Sequence, residues 1–370
     1  MAKVIIVGGG IFGTMHSYFA LKAGHEVINL EKDAQAQSAS VRNFGLIWVS
    51  GRLAGAELDL ASRARELWSE VGANADIGFR PNGSLTIAKN SDEWAVMSKA
   101  IDLPDAVQRG FSLLTPEEVR QVEPLIQGEI AGALRCSEDA AVEPSMLFVG
   151  MRNYLLSQPG YSWHPFSEVA DFEENSTGVS VTTTHGITFN GEKLIFTTGA
   201  FHTGLLNEFL KDEPLRRVRL QMGATVSVAE KLTHSIADAD SLRYYPGFIE
   251  LALNELPSQS DIAQRYKMQL LLAPRLDGTW TIGDTHEYEE PFGHELHEDP
   301  YRHLCNVIEG IFGFMPSIER RWDGVYSQIT SSEIYLNKTI SSNISIVTGG
   351  GGRGNTLSPA IAELTIGAIK

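Results

Sequence analysis

Three glycines near the start, Gly8, Gly10 and Gly13, stand in the G-x-G-x-x-G spacing, with Ile11 and Phe12 between the last two. That spacing suits a pyrophosphate. Gly8 permits a tight turn after the strand Val4–Val7, Gly10 lets the backbone approach without a Cβ, and Gly13 allows close helix–strand packing. The helix that follows offers free N–H groups and the positive end of its dipole to the phosphate charge. Glu31, followed by Lys32, closes the second strand where a carboxylate can accept both hydroxyls of an adenosine ribose. An acid there disfavours a 2′-phosphate, so NAD or FAD is expected rather than NADP. The motif does not choose between those two.

A second glycine site lies at the far end. Gly349–Thr356 reads GGGGRGNT before a helix expected over Ser358–Ile369. Such a loop exposes many backbone N–H groups, which suits an anionic or electron-rich ring edge. A NAD dehydrogenase has no need of it. A flavoprotein does, because the N1–C2=O region of the ring must accept negative charge on reduction. Leu194–Phe201, LIFTTGAF, is an apolar strand ending in small residues, suited to a close approach by cofactor or to an ordinary turn.

The elements that must position these residues are partly legible. A βαβ unit runs to Lys32, and the polar stretch AQAQSASVRNFG leads into an amphipathic helix, Ala56–Val71. FRPNGSLTIA reads as a strand entered through a turn at Asn82-Gly83. Thr115, Pro116 and Glu118 form a capping box with proline at the first helical position. Pro144 opens a helix over Ser145–Ser157, and three short strands follow within residues 177–201. Val218–Ala229, Tyr244–Leu253, Tyr266–Ala273 and Thr279–Ile282 are expected as antiparallel strands, and Pro300–Phe314 as a helix. The strand Ile344–Thr348 then leads into the last glycine loop.

At 370 residues the chain exceeds the size of a single growing core, so two domains are expected. The fold class is α/β (α+β overall): a Rossmann-type nucleotide domain in segments, with an inserted domain on an antiparallel or mixed sheet. The expected division gives 1–85, 145–212 and 325–370 to the nucleotide domain, and 86–144 with 213–324 to the substrate domain. A net charge of −16 disfavours nucleic acid and anionic membrane as partners. Cys136 and Cys305 lack metal spacing, so no metal and no disulfide framework is expected, and the location is read as cytoplasmic. No export signal or membrane span is expected either.

Taken together, the segments GGGIFG with Glu31, SASVRNFG, RPNGSL, VEPSML, LIFTTGA, PRLDGTWTIGDTHE, RRWDGVYS and GGGGRGNTLSPAIAE resemble the D-amino-acid oxidase, glycine oxidase and sarcosine oxidase superfamily of FAD enzymes. The likeness covers nearly the whole chain. It implies that Gly8, Gly10 and Gly13 hold the pyrophosphate and Glu31 the ribose, and that Ser40, Arg42 and Asn43 pass the pyrophosphate and flavin. Val169 would meet the adenine, Thr198 and Gly199 would lie beneath the same half, and Gly349, Gly350, Gly351, Gly352, Asn355 and Thr356 would cradle the ring.

Two departures bear on function. Amino-acid oxidases of this group carry an arginine in a W-x-G-x-R segment for the substrate carboxylate. Here Trp322-Asp323-Gly324-Val325-Tyr326 puts tyrosine there, which removes a bidentate clamp. Sarcosine oxidases tether FAD through a cysteine slightly further on, and YSQITSSEIYL has none, so FAD is expected to be non-covalent. An anionic substrate would then need Arg42, Arg52 or Arg353. His202, His286, Tyr245 and Tyr326 are further candidates to orient it. Each of these side chains is also open to a structural role, and no catalytic base is assigned.

ASVRNFG and GDTHEY are similar to a subgroup associated with phosphonate breakdown. The reading is therefore an oxidoreductase acting on the C–N bond of a small amine, an aminophosphonate such as free or N-methylated aminoethylphosphonate. The amine goes to an imine and then an aldehyde, with O₂ as acceptor. The alternatives are a glycine, sarcosine or D-amino-acid oxidase, an amine dehydrogenase with another acceptor, and a nucleotide-binding protein without catalysis.

Overall fold

A computed structural model describes residues 1–369. Lys3–Val7, the helix Ile11–Lys22 and Glu26–Leu30 form the opening βαβ unit, with the two strands parallel and in register from Lys3 and Glu26. They lie inside a six-stranded sheet ordered 336–339, 344–348, 193–196, 3–7, 26–30, 161–164. Only the edge strand Leu336–Thr339 runs antiparallel. The apolar strands pack on both faces. Helices Ile11–Lys22, Ala56–Asn74, Pro144–Ser157 and Gly354–Gly367 bury one side. The hairpin sheet Val169–Asn175, Gly178–Thr183 and Thr188–Gly191 covers the other. That is the doubly covered arrangement a parallel sheet requires, and its ligand crevice lies at the carboxyl ends of the strands.

A second sheet of eight strands is ordered 318–329, 215–225, 280–283, 271–274, 235–238, 84–88, 132–136, 111–114. Its pairs are antiparallel except Ser84–Ala88 with Ser235–Asp238. The longest pair, Leu215–Thr225 with Ile318–Ile329, turns the face of Leu220, Met222 and Tyr326 toward the first sheet. Asp139, fully buried, pins the crossing between the halves. It accepts from Val49 N–H at 2.6 Å, Ser50 N–H at 2.9 Å, Ser50 Oγ at 2.7 Å and Ser84 Oγ at 2.6 Å.

The capping box at Thr115 forms, with Thr115 Oγ1 accepting from Glu118 N–H and Glu118 Oε2 from Thr115 N–H. Three expectations need correction. Tyr266–Ala273 is a strand only from Leu271, because Tyr266 ends the short helix Asp261–Tyr266. Tyr244–Leu253 is not a strand but a pair of short helical turns, Ser241–Tyr244 and Pro246–Phe248. Pro246 cannot donate to a ladder, and Gly247 packs so closely on Arg52 and Ser50 that a Cβ would sit 2.7–2.8 Å from their carbonyl oxygens. The last helix begins at Gly354 rather than Ser358 and ends at Gly367. It runs through Pro359, whose missing N–H would have met Asn355 O. Trp68 Nε1 and Ser358 Oγ donate to that carbonyl instead, at 3.2 and 3.1 Å.

Candidate functional site

Both glycine sites open on one cavity of about 450 Å³. Of the residues expected to meet a cofactor, Gly8, Gly10, Ile11, Phe12, Glu31, Lys32, Ser40, Arg42, Asn43, Val169, Thr198, Gly199, Gly349–Gly352 and Asn355 line it. Gly13 stands behind this lining, where a Cβ would lie 1.8 Å from Gly8 O, so the helix can rest on the turn only through glycine there. Thr356 is also set back. It is buried and accepts the Trp48 N–H through Oγ1 at 2.9 Å.

Several lining groups are held in place by the backbone around them. Glu31, 7 % exposed, accepts from Gly9 N–H at 2.7 Å and from Asp33 N–H at 3.0 Å. Both carboxylate oxygens are thereby oriented while keeping lone pairs for hydroxyl donors. Ser40 Oγ accepts from Ile11 N–H at the helix start, 3.0 Å away. Asn43 Nδ2 donates to Ala39 O and Ser40 O, and its Oδ1 accepts from Gly45 N–H, which fixes the loop between sheet and cavity. In the C-terminal loop a Cβ on Gly350 would lie 2.7 Å from Phe12 Cζ. Asn355 Oδ1 and Tyr326 Oη are buried, line the cavity and have no protein partner. A glycine cradle at each end, an oriented carboxylate near one and orphaned polar atoms at the other fit an elongated dinucleotide with a ring at its far end.

The substrate-orienting candidates divide. Tyr326 and Arg42 reach the cavity. Arg42 is tied at the rim, donating to Gln37 O at 2.9 Å and Asp323 O at 3.0 Å, with the Asp323 carboxylate at 3.6 Å. Arg52 and Arg353 do not line it. They share the buried carboxylate of Glu57, at 3.7 and 2.8 Å, and Arg52 stacks toward Tyr245 at 5.4 Å. His202 stands one residue back, its Nε2 2.7 Å from Ser327 Oγ, and burial lowers its basicity. His286 is buried, with Nδ1 2.9 Å from Lys267 O and its ring 4.4 Å from that of Tyr244. Tyr245 is half-buried, packed between Trp48 and Tyr244.

Asp284 is the residue that sequence reasoning passed over. It lines the cavity at 6 % exposure. Oδ1 accepts from Gln269 Nε2 at 3.1 Å, and Oδ2 lies 3.9 Å from His286 Nε2. Burial pushes its carboxyl above the usual carboxylate range, and His286 pulls the other way. Its charge is felt by Tyr244, Tyr245 and Tyr326, whose hydroxyls are all driven up chiefly by burial. A Cβ on Gly352 would meet Tyr326 Oη at 3.6 Å and Tyr244 Oη at 3.8 Å, so the glycine loop rises beneath two phenol hydroxyls. Asp284 follows the strand Trp280–Gly283, which is buried throughout, and WTIGD by itself does not disclose that burial. Among the described residues no group of His, Cys, Asp and Glu could hold a metal, and no helix is long and apolar enough to cross a membrane.

The family model DAO, FAD dependent oxidoreductase, matches residues 3–367. A mitochondrial pyruvate dehydrogenase phosphatase regulatory subunit from Mus musculus is 26 % identical over 144 residues, covering 38 % of this chain and 16 % of that protein. A D-amino acid dehydrogenase from Helicobacter pylori is 22 % identical over 250 residues, covering 54 % of this chain and 60 % of that protein. The chain thus spans less than two thirds of either relative's length. The solved glycine oxidase from Bacillus cereus ATCC 14579 superposes with a TM-score of 0.80 at 22 % identity, covering 100 % of this chain and 95 % of that one, which establishes the shared fold.

Proposed function

The chain belongs to the FAD dependent oxidoreductase family, and from that premise we propose that it oxidises the C–N bond of a small amine with an anionic tail. The substrate we favour is an aminophosphonate such as free or N-methylated aminoethylphosphonate, with O₂ as acceptor. Gly8, Gly10, Glu31, Ser40, Asn43, Thr198 and Asn355 would hold the dinucleotide, and Gly349–Gly352 the ring. When bound, FAD supplies a two-electron oxidant for the carbon beside the amine nitrogen, and without a nearby cysteine it is held non-covalently.

One observation carries the amine reading: the buried Asp284 carboxyl in the cavity beside three tyrosines. An ammonium entering there meets an opposite charge and aromatic faces, both of which attract it. Burial raises the proton affinity of the carboxyl, so Asp284 can hold the ammonium and then take its proton at Oδ2. His286 keeps Nε2 toward that oxygen, because its Nδ1 is assigned as donor to Lys267 O. The neutral amine is the form that can be oxidised, and the imine formed is hydrolysed to an aldehyde. Tyr326, where the resemblance to amino-acid oxidases would put an arginine, offers no bidentate partner to an α-carboxylate. A cytoplasmic site of action belongs to this proposal, supported by the unpaired Cys136 and Cys305.

Anaerobic mixing of the purified flavoprotein with candidate amines tests the reading. Bleaching by aminoethylphosphonate or its N-methyl form is expected. Bleaching by glycine, sarcosine or D-alanine alone would overturn the substrate assignment. Likeness to a D-amino acid dehydrogenase favours a second reading, transfer to an acceptor other than O₂. Admitting air to the reduced protein separates the two, since a slow return of the oxidised spectrum supports the dehydrogenase. Heat precipitation should leave the yellow chromophore in solution.

A further inference from the structure

Arg216 differs from its strand neighbours. Arg217 is paired with Glu290, and Arg219 with Asp323 at 2.8 Å and Glu287 at 3.4 Å. Arg216 instead donates Nε–H to the neutral amide oxygen of Gln328 at 2.7 Å, and has no carboxylate partner among the described residues. Its guanidinium lies over the ring of Tyr288, 3.9 Å from the centroid, and Lys267 Nζ lies over the same ring at 4.5 Å. Lys267 also has no carboxylate partner there. In a chain of net charge −16, two cations gathered on one ring without a counter-charge repel each other unless an anion arrives.

Neither cation lines the cavity, but strand position carries Arg216 toward it. Side chains alternate along a strand, so Arg216 shares a face with Leu220 and Met222, which line the cavity. Across the strand pair Gln328 faces Arg216 and Tyr326 faces Val218. An aromatic row joins the cations to the amine end. Tyr244 and His286 rings lie 4.4 Å apart, and His286 and Tyr288 lie 6.3 Å apart at 22°. Burial raises the Tyr288 hydroxyl, and both ends act on it besides: Arg216 favours its ionised form and Asp284 opposes it.

We propose that Arg216 and Lys267 bind the doubly charged phosphonate end of the substrate while its ammonium rests at Asp284. The inference rests on the amine-oxidising reading above. Two cations match a phosphonate dianion better than the single charge of a carboxylate. Neither residue acts on the reacting carbon, so both set specificity.

Calorimetric titration of the flavin-loaded protein with ethylphosphonate, which carries no amine and cannot be oxidised, tests the site. Ethylamine, propionate and ethanesulfonate serve as comparisons. Arg216→Gln and Lys267→Gln should each weaken ethylphosphonate about tenfold, leave ethylamine within about twofold, and erase the preference for ethylphosphonate over propionate. Arg216→Lys should recover part of the affinity. Unchanged ethylphosphonate binding in both variants, or equal weakening of ethylphosphonate and ethylamine, would overturn the proposal. So would wild-type affinity no higher for ethylphosphonate than for propionate or ethanesulfonate. If no amine reduces the flavin while ethylphosphonate binding still depends on Arg216, the oxidation reading fails and the anion site stands.

Discussion

Asp284 concentrates the residue-scale argument, because its environment sets both its charge and its use. Gln269 holds one oxygen, His286 faces the other, and Tyr244 and Tyr326 stand nearby. Burial raises its carboxyl above the ordinary aspartate value near 3.9. Only the ionised form attracts an ammonium, so amine capture is lost as pH falls through that raised value. The acidic limb of kcat/KM for an aminophosphonate should therefore lie above the ordinary aspartate range. Asp284→Asn should lower kcat/KM about 100-fold and abolish that limb. An unchanged limb in the variant would remove Asp284 from amine binding. Glycines and Glu31 were legible in the sequence because their spacing along one βαβ unit is itself the signal. Asp284 was not, since nothing local distinguishes an acid ending an apolar strand from one at a turn. Arg52 and Arg353 were over-read for a related reason. Their partner Glu57 lies close to Arg52 in sequence but meets Arg353 only in the fold.

At the scale of elements, the site depends on how the C-terminal helix meets the segment after the flavin-side loop. Thr356 accepts the Trp48 N–H, Asn355 Nδ2 donates to Leu46 O at 2.9 Å, and Trp68 Nε1 caps Asn355 O. Three contacts thus fix the first turn of Gly354–Gly367 against residues 46–68. Thr356→Val keeps the shape but leaves the buried Trp48 N–H unpaired, a loss of about 1–3 kcal/mol. Urea unfolding should register that loss, with flavin binding weakened in parallel, while Thr356→Ser should stay close to wild type. A Thr356→Val protein as stable as wild type would show that water replaces the hydroxyl. The early start of this helix was hidden because its first turn, Gly354–Leu357, contains glycine and polar residues whose partners come from 300 residues away. The Tyr244–Leu253 misreading has the opposite cause. Its apolar residues suggested a strand, while Gly247 was needed for packing against Ser50 and Arg52.

For the whole molecule, the chain passes between the six-stranded and eight-stranded sheets four times, through 3–30, 84–136, 161–196, 215–329 and 336–348. Neither sheet can be completed without the other's connections, so one cooperative unfolding transition is expected. Two buried groups, one in each half, make this testable through pH. His16, in the dinucleotide-binding helix, is fully buried, bonded through Nδ1 to Phe12 O at 2.7 Å, and lowered by burial to about 4. The unfolded chain binds its proton below 6.5 while the native state does not, so its contribution is present above 6.5 and lost as pH falls toward 4. Asp238, in the eight-stranded sheet, is raised to about 7, chiefly by burial and then by Asp240. Here the native state holds the proton, so that contribution is present below about 3.8 and lost as pH rises toward 7. Each slope is about 1.4 kcal/mol per pH unit, and between pH 4 and 6.5 they have opposite signs. In one cooperative unit these two contributions oppose each other in a single transition. If the halves unfolded separately, two transitions would move apart with pH. Asp238→Asn, which keeps an acceptor for Leu270 N–H, should remove the Asp238 slope, so that between pH 4 and 6.5 stability in urea rises with pH more steeply than wild type by about 1.4 kcal/mol per unit. Parallel pH curves for variant and wild type would mean that Asp238 is not protonated in the native protein.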